Sequence, residues 1–104
     1  MTKQHHHVTL TQQPDKIDDA RELIMQCEER VSARRRENGP QSWFASFDPD
    51  RKQFHIEALF DNDAAVAFHQ NNIKDIVDAF GTMMAARPET VIRHVICAAQ
   101  PPSN

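Results

Sequence analysis

Lys52-Gln-Phe-His-Ile-Glu-Ala-Leu-Phe60 alternates strictly between two kinds of side chain. One set is apolar and consists of Phe54, Ile56, Ala58 and Phe60. The other set consists of His55, Glu57 and Leu59. A period of two is that of a β-strand, whose successive side chains point to opposite faces. We therefore predict a strand with one fully apolar face and an ionisable pair on the other.

The next segment, Asp61-Asn-Asp-Ala-Ala-Val-Ala-Phe-His69, begins with an aspartate and runs into alanines. Aspartate is a favoured helix cap, so the pattern predicts a helix that is capped by Asp61 and carries His69. The polar run from Gln70 to Asn72 is expected to bend or break this helix. An apolar stripe at helical spacing then resumes at Ile73.

The remaining segments supply one further helix and three further strands. A helix is predicted from Pro14 through the arginines at 34–36, because apolar residues recur at intervals of three and four; they are Ile17, Ala20, Ile24, Cys27 and Val31. Gly39 and Pro40 are typical of a helix end. Alternation predicts strands over 8–11, 41–48 and 90–98. The run His5-His6-His7 either begins the first strand early or is an exposed lead-in, such as a remnant of a purification tag.

The predicted order is strand, helix, strand, strand, helix, strand. This order is typical of the split βαβ, or ferredoxin-like, α+β fold, in which helices cover one face of a four-stranded antiparallel sheet. The opposite face would carry apolar side chains together with His and Glu. That mixture favours a homodimer in which two sheets pack face to face and enclose a small, partly polar space.

Composition restricts the class of protein. The 104 residues predict one domain over 1–104, with a core over about 8–98. A net charge of −3 without a long basic block argues against nucleic acid as a partner. The chain has no apolar run near the ~18 residues that cross a bilayer and no signal-like N-terminus. Its two cysteines, Cys27 and Cys97, have no metal-type spacing and are expected to be buried. We expect a cytoplasmic protein without membrane contact.

The sequence also resembles the antibiotic biosynthesis monooxygenase domain of the dimeric α/β-barrel superfamily. The likeness lies in Glu37-Asn-Gly39, the aromatic strand that follows, and the segments 54–69 and 70–77. With the element order it extends over residues 8–98. The resemblance implies a ferredoxin-like dimeric α/β barrel. It also implies chemistry of the kind found in the family, which includes cofactor-free oxygenases of aromatic substrates, quinol oxidases and haem degraders.

The candidate site is the face of the sheet that carries His55 and Glu57. A carboxylate beside an imidazole raises the basicity of the imidazole. The imidazole can then act as a base and remove a proton from an activated substrate, which reacts with dioxygen. We predict His55, Glu57 and His69 as catalytic residues. The predicted substrate-binding residues are His7, Phe44, Leu59, Arg93 and His94. Strand parity does not decide whether Arg93 or His94 faces the cavity.

Three functions follow. The first is a cofactor-independent monooxygenase for a small aromatic or quinol-like substrate, without a metal or cofactor. The second is a non-catalytic, small-molecule-binding or structural dimer. The third is a metal or haem binder. A void of at least ~300 Å³ beside Glu57 would make a ligand site there credible. If Leu59, Phe44 and Trp43 fill this space, the first function fails.

Overall fold

A computed structural model describes residues 3–99 and contains the predicted strands and helices. The strands are β1 (Gln4–Leu10), β2 (Ser42–Asp48), β3 (Gln53–Phe60) and β4 (Glu89–His94). The helices are α1 (Ile17–Ala33), preceded by a 3₁₀ turn over Pro14–Lys16, α2 (Asp63–Asn72) and α3 (Lys74–Phe80). The predicted ferredoxin-like α+β architecture is therefore confirmed.

The four strands form one antiparallel sheet in the order β2-β3-β1-β4. Strand β1 is thus an inner strand, and all three histidines of the run from His5 to His7 pair within it. The first strand starts four residues earlier than predicted, so the histidine run is not an exposed lead-in. Within one chain the sheet is open and not a closed barrel.

The helices cover the face that the alternating pattern marked as apolar. Phe54, Ala58 and Phe60 of β3 are all at most 5% exposed. The main core joins Phe54 and Leu10 of the sheet to residues of α1 and α3, which are Ala20, Ile24, Cys27, Val31, Ile76 and Phe80. Ala58 and Phe60 form a second, smaller cluster with Ala65 of α2. Burying one of the larger apolar side chains, such as Phe54, stabilises the fold by roughly 1.5–3 kcal/mol. The apolar spacing predicted for α1 is confirmed.

The second helical segment is interrupted where polar residues predicted a break. Ile73 leaves helical geometry, with φ −110° and ψ 11°, and separates α2 from α3. Arg30 of α1 then donates to the Asn72 carbonyl oxygen (2.8 Å) and to Asp75 (2.8 and 3.1 Å). These bonds hold the junction of α2 and α3 against α1, while α2 extends over β3 and β1.

Two boundary predictions are wrong. The cap of α2 is Asn62, whose Oδ1 accepts from the Ala65 backbone N–H at 2.9 Å, and Asp61 lies outside the helix. Strand β4 ends at His94 and not at residue 98, which leaves Cys97 exposed rather than buried. Among the helices in the described part of the chain, none has the length and apolar character needed to cross a membrane.

Candidate functional site

The sheet has a second face that no helix covers, here called the open face. Strand register places fourteen side chains on it: Ser42, Phe44, Ser46, Asp48, Gln53, His55, Glu57, Leu59, His5, His7, Thr9, Glu89, Val91 and Arg93. Six of the eight predicted site residues belong to this set. The exceptions are His69, which lies on α2, and His94.

The ionisable groups of the open face pair across strands. His5 Nε2 lies 3.1 Å from Glu57 Oε1, and His7 Nε2 lies 2.9 Å from His55 Nδ1. Within residues 3–99 no hydrogen bond joins His55 to Glu57. Both observed pairs are diagonal, because His7 is directly opposite Glu57 and Thr9 is directly opposite His55. Diagonal neighbours on adjacent strands lie about 7–8 Å apart, within the reach of long side chains. Glu57 therefore pairs with the imidazole of His5 and not, as was predicted, with that of His55.

Sequence reasoning did not name His5 as a site residue because it left open whether the histidine run belongs to the first strand or is an exposed lead-in. The alternation of side chains along the first strand could have identified it. His7 was placed on the candidate face, and a strand that starts early puts His5 on the same face. In the structure the two rings are stacked, with centroids 6.3 Å apart. The polar part of the open face is therefore built from β1 as much as from β3.

The ambiguity at the last strand is resolved by register. Arg93 pairs with His5, which lies on the open face, whereas His94 pairs with Gln4 and has the opposite parity. His94 borders the open face only at the end of β4. Arg93 is thus the cation available beside Glu57.

A cleft of about 440 Å³ lies beside Glu57. We call it the Glu57 cleft; its walls include His5, Phe44, Glu57, Leu59, Arg93 and Ile96. Phe44 is 54% exposed and does not fill it, and Trp43 packs with the core on the helix side. The space beside Glu57 therefore exceeds the minimum of ~300 Å³ for a ligand site.

A larger cavity of about 770 Å³ lies on the other side of the sheet, between it and the helices. We call it the His69 cavity. Its walls are mainly apolar and include Ile56 and Phe60 of the sheet and Ile73 and Val77 of the helices. His69 lines it, and its ring lies 5.3 Å from that of Phe60. Sequence reasoning did not foresee this cavity, because the same apolar pattern would describe a filled core.

The imidazole of His69 is neutral and has unused hydrogen-bonding capacity. Burial, and then the charge of His6, lowers the pKa of His69 to about 4. Its Nδ1 is buried and receives no hydrogen bond from any residue that the structure describes. A buried polar atom without a partner costs about 1–3 kcal/mol.

The ligand types for a metal are present but do not converge. Across residues 3–99 there is no group of three or more His, Cys, Asp or Glu side chains placed to hold a metal ion. The histidines of the open face are instead engaged in separate pairs, His5 with Glu57 and His7 with His55. Nothing in their arrangement favours the metal-binding alternative.

The fold and its cavity define a ferredoxin-like α+β domain with room for a small molecule. Solved structures with this fold include a protein of unknown function from Nitrosomonas europaea, with a TM-score of 0.81 and 20% identity over 99% of this chain and 98% of that one. A "putative antibiotic biosynthesis monooxygenase" from Caulobacter crescentus has a TM-score of 0.82 and 18% identity over 91% of both chains. One of the same name from Deinococcus radiodurans has a TM-score of 0.75 and 19% identity over 96% of this chain and 99% of that chain.

These similarities confirm the resemblance inferred from the sequence at the level of the fold. The sequence matches no protein-family model, and no curated protein gives a significant match. At such identities a shared fold does not by itself transfer an activity.

Proposed function

We propose that the protein is a cofactor-independent monooxygenase that oxidises a small aromatic or quinol-like molecule in the His69 cavity. The observation that carries the proposal is a neutral imidazole without a hydrogen-bond partner in the wall of a 770 Å³ apolar cavity. A large apolar pocket with few polar groups is the usual form of a small-molecule site. The names of the Caulobacter and Deinococcus structures support this choice of reaction.

In the proposed mechanism His69 accepts the proton of a substrate hydroxyl. Proton transfer to a histidine whose pKa is about 4 is unfavourable while the cavity is empty. The developing phenolate supplies the missing counter-charge, and an opposite charge at contact distance raises the pKa of an imidazole. Substrate and His69 thus form an ion pair in which the substrate is electron-rich.

Dioxygen is the oxidant. The substrate anion transfers one electron to it, and the resulting pair of radicals combines at a ring carbon that carries a hydrogen. The peroxide anion so formed takes the proton back from His69 and becomes a hydroperoxide. Loss of water from this carbon, which carries both a hydrogen and the hydroperoxide, leaves a carbonyl, so that one oxygen atom enters the product and the other leaves as water. Apolar walls exclude bulk water from these intermediates.

The site differs from the one that the sequence predicted. Of the three predicted catalytic residues only His69 lines this cavity, and the mechanism gives no step to His55 or Glu57. The cavity also lies within one chain and not between two sheets. We retain the homodimer in the proposal, because the open face presents Phe44 and Val91, which are 54% and 43% exposed. The absence of a cofactor and the cytoplasmic location stay predictions.

Oxygen uptake with an anthrone and with a hydroquinone tests the proposal. Wild type should consume dioxygen, and His69→Leu should lower kcat/KM by at least ~10²-fold, the usual minimum for a lost general base. His55→Gln, on the other face of the sheet, is the matched control and should keep the wild-type rate. Circular dichroism would verify that both variants fold.

Equal rates in wild type and His69→Leu would contradict the role of His69. No uptake above the buffer rate with either substrate would instead favour the second function, a non-catalytic small-molecule-binding dimer.

A further inference from the structure

A second imidazole, that of His6, lines the His69 cavity. His6 has the parity of Val8 and Leu10 in β1, so it lies on the helix side of the sheet and not on the open face. Its ring meets that of Phe60 edge-on, with centroids 4.8 Å apart, and the ring of His69 lies 5.3 Å from the same phenylalanine. The two imidazoles are therefore at most about 10 Å apart, the sum of these two distances. One aromatic ring with a hydrogen-bonding group at each end can bridge a gap of this size.

A chain of hydrogen bonds determines which nitrogen of His6 carries the proton. Gln4 Nε2 donates to Asp63 Oδ1 in the first turn of α2, and Gln4 Oε1 lies 2.9 Å from His6 Nε2. An ionised carboxylate only accepts hydrogen bonds, so the amide of Gln4 must turn its nitrogen to Asp63 and its oxygen to His6. The amide oxygen also only accepts, so His6 Nε2 must donate. The neutral ring therefore carries its proton on Nε2 and leaves Nδ1 as an acceptor.

This acceptor is not used by the part of the protein that the structure describes. Within residues 3–99 the ring of His6 is hydrogen-bonded only at Nε2. The two nitrogens of an imidazole point in nearly opposite directions, so Nδ1 faces away from Gln4. Burial, and then the charge of His5, lowers the pKa of His6, so the ring is neutral at pH 7 and Nδ1 keeps its lone pair. A neutral acceptor held in one tautomer fits a hydroxyl group of a bound molecule.

The two imidazoles of the cavity have different tasks. A proton on His6 would weaken His69 as a base, because the charge of His6 contributes to the low pKa of His69. A hydrogen bond to His6 Nδ1 that leaves the proton on the ligand avoids this repulsion. His69 is then the base, and His6 recognises a second group on the same ligand.

We propose that His6 is a specificity-determining residue of the His69 cavity, which accepts a hydrogen bond from a second hydroxyl group on the aromatic substrate. Gln4 and Asp63 are positioning residues that hold His6 in the accepting tautomer. The inference rests on the proposed function, since it places the substrate in this cavity, and it adds that the substrate is a diol. A molecule with one hydroxyl group leaves one of the two imidazoles without a donor and binds less tightly, because an unpaired buried acceptor is costly.

Calorimetry under nitrogen tests this selectivity, since without dioxygen a ligand binds but is not oxidised. The probes are 1,4-dihydroxynaphthalene and its monomethyl ether, 4-methoxy-1-naphthol. Wild type should bind the diol about 10-fold more tightly, which corresponds to one buried hydrogen bond. In His6→Leu the two affinities should agree within about 2-fold. The matched control is His7→Leu, which removes the neighbouring imidazole of β1 from the open face and should keep the wild-type ratio.

The ratio of the two affinities also tests the positioning residues. A general loss of packing would weaken both probes together, because they share one ring system, and would leave the ratio unchanged. Gln4→Met removes both hydrogen bonds and should lower the ratio, since His6 is then free to move its proton to Nδ1. The double variant Gln4→Glu/Asp63→Asn puts a carboxylate next to His6 and an amide donor next to that carboxylate, and it should restore the ratio. Nitrogen-15 NMR of the His6 ring should show the Nε2–H tautomer in wild type and in the double variant, and a mixture of tautomers in Gln4→Met.

Three results would overturn the inference: no binding of the diol to wild type, equal affinity of wild type for the two probes, or an unchanged ratio in His6→Leu. Full affinity for the diol in both His6→Leu and His69→Leu would do the same, because the ligand would then lie outside the cavity. Selective binding of the diol without oxygen uptake would contradict only the proposed reaction. Oxygen uptake with equal affinity for both probes would contradict only the role of His6.

Discussion

At the scale of single residues, His69 links the stability of the protein to pH. Its folded-state pKa, about 4, lies below the ordinary value of 6.5, because burial disfavours the charged ring. Between pH 6.5 and pH 4 the unfolded chain therefore binds a proton that the folded chain does not. The free energy of unfolding therefore decreases as the pH is lowered through this window, by up to about 1.4 kcal/mol per pH unit.

We expect the wild type to lose about 2 kcal/mol more of its unfolding free energy than His69→Leu when the pH is lowered from 7.5 to 5. Urea denaturation of both proteins at both pH values measures the difference. The titration of carboxylates contributes equally to both proteins, so it cancels when their stability losses are compared. Parallel losses would show that His69 is not buried in its neutral form.

The sequence predicts which face a strand residue occupies much better than it predicts what that residue touches. The placement of Phe54 and Glu57 on opposite faces follows from the period of two and is confirmed. The bond from Glu57 to His5 depends on the register between β1 and β3, which hydrophobic alternation alone does not specify. The unfilled volume beside His69 depends in turn on how closely the helices approach the sheet.

At the scale of secondary-structure elements, the start of α2 shows how boundaries escape sequence reasoning. Asp61, Asn62 and Asp63 are all capping residue types, and the pattern alone does not choose among them. Asn62 is selected because its backbone is extended, with φ −165°, while its side chain reaches the Ala65 amide. The geometry of the turn that follows β3 therefore determines that Asn62, the middle one of the three residues, caps the helix.

Asn62→Ala should destabilise the protein by about 1 kcal/mol, since it removes the acceptor for an orphan amide of the first helical turn. Asp61→Ala is the matched control. It loses only a 3.8 Å contact with Lys3 between half-exposed side chains, and such pairs contribute little. Thermal unfolding of both variants would measure this, and a larger loss for Asp61→Ala would restore the original cap assignment.

At the scale of the whole molecule, the order of elements was predictable and the extent of β1 and β4 was not. Alternation identified every strand, but polar histidines concealed the start of β1, and apolar residues after His94 suggested a longer β4. The predicted dimer is a property of this same scale. It follows from an open face that mixes apolar with ionisable side chains, and it stays a prediction.

Light scattering at micromolar concentration should give a mass of twice the 11.9 kDa chain. Val91→Lys places a charge on the open face and should shift the protein toward the monomer, because burying an unpaired cation in each half of a symmetric interface is costly. Met25→Lys changes an apolar residue of α1 that is 56% exposed, against 43% for Val91, and should leave the mass unchanged. A single-chain mass for the wild type would contradict the dimer.

The position of β1 inside the sheet has a consequence for how the chain acquires its structure. During synthesis β1 leaves the ribosome first, yet its neighbours β3 and β4 follow some fifty and eighty residues later, with Gln4 pairing to Phe60 and His94. Until β4 has emerged, an inner strand rich in histidine has one edge unpaired. Such long-range pairing slows folding and leaves strand edges open to other chains. Strand β1 therefore stays incompletely paired until β4 is available, and the sheet is completed by its most distant pairing in sequence.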